Sequence, residues 1–191
     1  PSPLRSSARS GNLRLENEAI ERSEVPEGWE QYPKSLANND LEARWTKKND
    51  QSFYGYKDHV MADLDSKLIV RAKVSTASEH DSQALESLTR PGDPETWADS
   101  AYTGVNCQEI LQRKGIAASI CEKGTRGHEL TKGQKRSNRA KSRKRVRVEH
   151  IFAFMTGSMG AMLQRCIGYA SSRACNLLAN LVDNIARNEP S

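Results

Sequence analysis

Nine Lys and Arg residues, Lys132, Lys135, Arg136, Arg139, Lys141, Arg143, Lys144, Arg145 and Arg147, lead without an intervening acid into Glu149 and His150. A cationic run gathers phosphates, and the carboxylate at its end is a hard oxygen donor of the kind Mg²⁺ prefers. The chemistry open to that pairing is metal-dependent attack on a phosphodiester, in which cations activate the attacking oxygen and stabilise the leaving one. A second donor of the same kind is Asp99, at the end of the strand-like run in TWADSAY. Glu149 also has an ordinary reading. It follows Arg145 by four residues, the spacing of a helical ion pair worth about 0.3–0.5 kcal/mol.

The elements that would hold these groups follow from periodicity. Residues 1–50 are polar and broken by Pro1, Pro3, Pro26 and Pro33, so they read as an arm or long loop, with one short helix over 13–24. SFYGYKDHVMADL and LIVRAKVST, on either side of DLDSK, predict a β-hairpin. A helix over HDSQALESL, capped by Ser78 and Asp81, then leads to a short strand, ETWADS. GVNCQEILQRKG predicts an amphipathic helix with Val105, Ile110 and Leu111 inward, stopped at Gly115, and AASIC another strand. Val148, Phe152, Met155 and Met159 mark a helix that carries Glu149. Ala170, Ala174, Leu177, Leu178, Leu181, Val182 and Ile185 mark the apolar face of the last helix. This order predicts a mixed sheet flanked by helices.

Composition narrows the partners. The net charge is +5 from 29 basic and 24 acidic residues; outside the run of nine the balance turns acidic, so the basicity is local and suits a polyanion. No segment approaches the ~20 apolar residues of a membrane span, and the N-terminus lacks the apolar core of a signal peptide, so export is not expected. Cys107, Cys121, Cys166 and Cys175 show no metal spacing and read as reduced thiols in a cytosol. His59, His80, His128 and His150 share no ligand spacing either; His80 reads as part of a cap, and His150 as a partly buried, hydrogen-bonded histidine. Around Trp45, Lys47, Lys48, Tyr54, Tyr56 and Lys57 two readings stand equal: a DNA-contacting face of cations and stacking rings, or a hairpin with an aromatic core face and a solvated Lys face.

RWTKKNDQSFYGYKDHV, STASEHDSQAL, TWADSAYTG and RVRVEHIF, in this order, resemble the catalytic domain of bacterial insertion-sequence transposases of the DDE type, closest to the insertion sequence five group. The resemblance runs from about Glu16 to Arg187. It implies an α/β, ribonuclease-H-like mixed sheet flanked by helices, over residues 51–191. It also implies DNA as partner, at transposon ends and target, and two divalent metals, Mg²⁺ or Mn²⁺. Asp99 would be the second acid of the catalytic triad and Glu149 the third, both of them metal ligands. Related enzymes bracket this Glu with a Tyr, an Arg and a Lys; Arg145 matches the Arg, while Ser142 and Thr156 stand at the other two positions. The family's first Asp lies on the first strand, upstream of the segment matching residues 3–20, and residues 1–12 hold no acid. That strand therefore reads as missing. Asp40, Asp58, Asp63, Asp65 and Asp81 all read as structural. The chain is expected to be an incomplete transposase catalytic domain, inactive alone, of marginal stability, located in the bacterial cytoplasm at the nucleoid, and joined by a further copy or a full-length relative. The alternative is a catalytically inactive DNA-binding remnant.

Overall fold

A computed structural model describes residues 4–6, 12–48, 50–125, 127–161 and 166–188. Among them the chain runs through β1 (Leu4–Ser6), α1 (Arg14–Glu21), α2 (Pro33–Asn38), β2 (Arg44–Lys48), β3 (Gln51–Ala62), β4 (Ile69–Thr76), α3 (Leu85–Leu88), β5 (Glu95–Ala98), α4 (Val105–Arg113), β6 (Ala117–Ile120), α5 (Lys132–Thr156) and α6 (Tyr169–Asn188). From β3 onward this is the predicted order, and the chain is mixed α/β. β1, β2 and β4 pair with β3 in one sheet, and β5 and β6 form a parallel pair in register from Glu95↔Ala117 to Ala98↔Ile120.

Two compact units divide the chain: one holds His59–Lys73 and His80–Phe154, the other Ser2–Asp58, Val74–Glu79 and Met155–Ser191. In the second unit the core is polar at its centre. Asp40 is buried, its Oδ1 accepting the N–H of Glu42 and of Ala43 at 3.0 Å each and the Tyr56 hydroxyl at 2.9 Å. Its Oδ2 accepts the Gly168 N–H at 2.9 Å, and the Tyr54 hydroxyl donates to its backbone carbonyl. Ala43, Tyr54, Tyr56 and Val74 close over this node, with Trp45 and Tyr169 at the margin. Residues read as an arm thus supply α1, α2, β2 and a buried hydrogen-bond centre.

Burial, reinforced by the Asp40 charge, pushes the Tyr54 phenol up to about 12 and the Tyr56 phenol higher still. Both phenols are neutral below pH 10 whether the chain is folded or not, so their contribution is complete there. Above pH 10 the unfolded chain releases protons that the folded chain keeps, and stability falls by about 1.4 kcal/mol per pH unit for each phenol. Denaturant melts should therefore lose stability between pH 10 and 12, and a Tyr54→Phe, Tyr56→Phe variant should show a flatter profile there.

The first unit is organised around Leu85, Cys107, Ile110, Leu111 and Ile116, with Tyr102 and Ile120 packed against them. Cys107, not Val105, joins Ile110 and Leu111 inside. Residues 107, 110 and 111 share a helical face, whereas Val105 lies on the opposite side and is exposed. Gly115 stops α4 in a left-handed conformation (φ 68°), returning the Ile116 N–H to the Leu111 carbonyl at 2.9 Å. The turn over Asp81–Ala84 is capped by His80, whose Nδ1 accepts the Ser82 N–H, rather than by Ser78 or Asp81. α5 ends at Thr156, before Met159, where Gly157 and a left-handed Gly160 (φ 58°) break the pattern.

α6 reverses its sequence reading. Ser172, Asn176, Ala179, Asn180 and Asp183 are buried, while Leu177, Leu178, Leu181, Val182 and Ile185 are exposed. The inward side meets a polar partner in β3, the Asn180 amide donating to Asp58 Oδ1 at 3.3 Å; within the helix the Asn176 amide donates to the Ser172 carbonyl at 2.7 Å, and Arg187 binds both oxygens of Asp183 at 2.7 and 3.0 Å. Replacing Leu178 or Leu181 by Gln should therefore change folding stability by only about 0.5 kcal/mol while raising solubility; replacing Asn176 by Leu should destabilise by about 1–3 kcal/mol. Denaturant melts of the three variants check the contrast. The reading of four scattered thiols also needs correction, because the sulfurs of Cys166 and Cys175 are brought together; Cys107 and Cys121 are free and buried.

Candidate active site

β5 ends at Ala98, and the next residue is Asp99. In sheets with parallel strands, ligands gather at the strands' carboxyl ends, where loops and helix termini converge. Asp99 caps a single turn over Ser100–Tyr102, its Oδ1 accepting the Ala101 N–H at 2.9 Å, so one carboxylate oxygen is fixed by backbone. Its Oδ2 faces the Arg145 guanidinium at 3.7 Å, with only 16–17% of either side chain exposed. Burial opposes charge on this carboxyl, and the Ala101 amide and Arg145 favour it. Tyr102, three residues on, has its phenol pushed well above its ordinary value, first by burial and then by the Asp81 and Asp99 charges.

α5 passes the same ends of β5 and β6 and is held there by a stripe of its own polar residues. Gln134 donates to the Glu122 carboxylate at 2.5 Å, Asn138 exchanges two hydrogen bonds with the Glu122 backbone at 2.9 Å each, and Lys141 donates to the Ile120 carbonyl at 2.8 Å. The Lys144 ammonium lies over the Trp97 ring, 3.9 Å from its centroid, and Arg145 reaches Asp99. Residues 134, 138, 141 and 145 follow steps of four, three and four, so they occupy one helical face. Glu149 is exposed one further turn along, about 6 Å beyond Arg145. Arg145 thus meets Asp99, and Glu149 lies one turn further along the same face of α5.

Two carboxylates of this kind are hard oxygen donors, and Mg²⁺ is commonly held by one or two of them while keeping several waters. Asp99 and Glu149 fit such an ion as a partial ligand set. Among the described residues no group of three or more His, Cys, Asp or Glu is placed to hold a metal. When bound, a divalent ion would supply Lewis acidity at a phosphate oxygen; the chain itself supplies the fixed carboxylate of Asp99 and the cation of Arg145.

The other expected contacts divide. Lys132, Lys135, Arg136, Arg139, Arg143 and Lys144 are exposed on α5, Lys135 being paired with Glu129 at 3.7 Å; Arg147 belongs to the same helix, and its side chain lies outside the described residues. Lys141 and Arg145 are half-buried and engaged within the fold. Lys47 and Lys48 are exposed on β2, with Lys47 paired to Asp50 at 3.1 Å. Of the two readings of the aromatic hairpin, the core face prevails for the rings. Tyr54 and Tyr56 are buried against Asp40, Trp45 packs on Tyr54 with centroids 4.9 Å apart, and Lys57 donates to the Glu79 carbonyl at 2.7 Å. His150 is exposed.

Trp97, Asn138 and Gln134 were absent from the sequence reading of the site. For Gln134 and Asn138 the signal was available in the 134, 138, 141, 145 spacing, hidden beneath the charge of the run.

Comparison with known proteins shows the family. A family model described as a transposase DDE domain matches residues 30–185. The transposase for insertion sequence element IS1106 of Neisseria meningitidis serogroup B is 28% identical over 131 residues, covering 68% of this chain and 45% of that protein. The chain therefore spans less than half the length of this curated relative. No solved structure matches. No helix among the described residues is long and apolar enough to cross a membrane. With the match extending over most of its length and across both Asp99 and Glu149, the chain belongs to the family of DDE transposase domains.

Proposed function

We propose that this chain is the catalytic part of an insertion-sequence transposase of the insertion sequence five group, performing metal-dependent cleavage and strand transfer on DNA. The observation that carries the reading is the Asp99 carboxylate at the end of β5, clasped by Arg145 one helical turn from Glu149. In this reading Asp99 and Glu149 would hold Mg²⁺ or Mn²⁺, which would supply Lewis acidity at a phosphate oxygen, and Arg145 would offer its cation to a phosphate. The sheet is ribonuclease-H-like. β3 and β4 would be its hairpin, β5 and β6, here a separate parallel pair, its later strands, and β1, antiparallel to β3 over Leu4–Ser6, supports pairing by the end of a first strand. That strand would bring the first Asp of the triad, from an upstream segment or a separate polypeptide such as a full-length relative, in the bacterial cytoplasm where DNA is at hand.

Nicking of supercoiled plasmid in Mg²⁺ or Mn²⁺ tests this, with the chain alone and with a full-length relative whose own acids have been removed except the first. Metal-dependent nicking that vanishes in Asp99→Ala supports the proposal. Equal nicking by that variant would sink it. The second reading, a DNA-binding remnant, has DNA association without nicking in either mixture as its signature.

A further inference from the structure

The basic residues of α5 point two ways. Taking Arg145 as the centre of the face that meets β5 and β6, residues 134, 138 and 141 fall within about 40° of it at 100° per residue. Lys132, Arg136, Arg139 and Arg143 fall on the opposite side, between about 120° and 180° away, at steps of four, three and four. All four are exposed, and among the described residues no hydrogen bond or ion pair engages their cationic heads. They extend over twelve residues, or about 16 Å of helix, with one charge every 5–6 Å.

We infer that Lys132, Arg136, Arg139 and Arg143 form a track for the phosphate backbone of duplex DNA, while Lys141 and Lys144 anchor the helix and contact no DNA. This rests on the DNA reading above and narrows it to one surface. Like charges three and four residues apart on an exposed face repel each other, and a polyanion laid along them relieves that repulsion. The track is straight and holds no aromatic residue. Single-strand binding relies on rings that stack on bases, so a rigid duplex edge is the form of nucleic acid this face fits. The contacts carry charge and no base-reading pattern, so the binding is independent of sequence.

The test is a salt series of equilibrium binding to a 30-base-pair duplex of random sequence, using the whole chain. In the variant Lys132→Gln, Arg136→Gln, Arg139→Gln, Arg143→Gln, the slope of log K against log salt should flatten by about 3–4 and affinity at 0.1 M salt should fall by a hundredfold or more. Its melting temperature should be no lower than that of the native chain, since Gln is a good helix former and the repulsion is gone. Lys141→Gln should do the reverse, lowering the melting temperature with the slope unchanged. A quadruple variant that binds with the native slope overturns the track and leaves the DNA reading standing. A native chain that binds no duplex at any salt overturns both. A slope that flattens as much in Lys141→Gln as in the quadruple variant overturns the division into two faces.

Discussion

Asp40→Ala should destabilise the chain by about 3–5 kcal/mol, the largest effect expected of any substitution outside the candidate active site. The carboxylate accepts from two neighbouring backbone amides, from Tyr56 and from the Gly168 amide, which lies 128 residues away in sequence. Truncation leaves a buried phenol and buried amides without acceptors, and each orphaned group costs on the order of 1–3 kcal/mol. Against a typical total of about 5–15 kcal/mol this is a large fraction, and at roughly 2–4 °C per kcal/mol in a chain of this size it should lower the melting temperature by about 10 °C. Tyr56→Phe is the sharper comparison. It removes one hydrogen bond and leaves Asp40 with its other donors, so it should cost only about 1 kcal/mol. If both variants melt together, Asp40 is no more than one contact among many.

That node shows why the order of elements was legible and the layout of the interior less so. Hairpin, strands and helices announce themselves through local period and punctuation: the turn at Asp63 is set by its own carboxylate, which accepts the amides of Asp65 and Ser66, and Gly115 ends α4 where a left-handed residue is needed. Asp40 showed only a local turn with the amides of Glu42 and Ala43, because its other partners lie at 54, 56 and 168. α6 misled for a related reason. Period identifies a face, and hydrophobicity is then assumed to point it inward; here Asn180 and Asp58 decide the orientation through a pairing that no window of sequence contains. The same holds at the candidate site. Asp99 and Glu149 were readable as acids beside a basic run, whereas the use of Lys141, Lys144 and Arg145 within the fold depends on Ile120, Trp97 and Asp99 being brought to α5.

Asp99→Asn should separate metal from DNA. Asn keeps the acceptor for the Ala101 amide, so the cap at the end of β5 survives, and the lost pairing with Arg145 should cost only about 1 kcal/mol of stability. The substitution removes a negative oxygen donor, and Mn²⁺ affinity should fall at least about tenfold, with metal-dependent nicking falling toward background by about 10³-fold wherever the native chain supports it. DNA association should move the other way. With its acid gone, Arg145 becomes available to a phosphate, and one added charge contact steepens the salt slope by about 0.9 and tightens binding several-fold at 0.1 M salt. Glu149→Gln should lose metal in the same way with a smaller gain in DNA affinity, because Glu149 is exposed and no described contact ties it to a cation. Titrating Mn²⁺ and duplex separately against both variants gives the answer. A merely structural acid at position 99 would lower stability and DNA affinity together and leave metal affinity where it was; opposite shifts of metal and DNA binding are what a carboxylate poised between a cation and a phosphate requires.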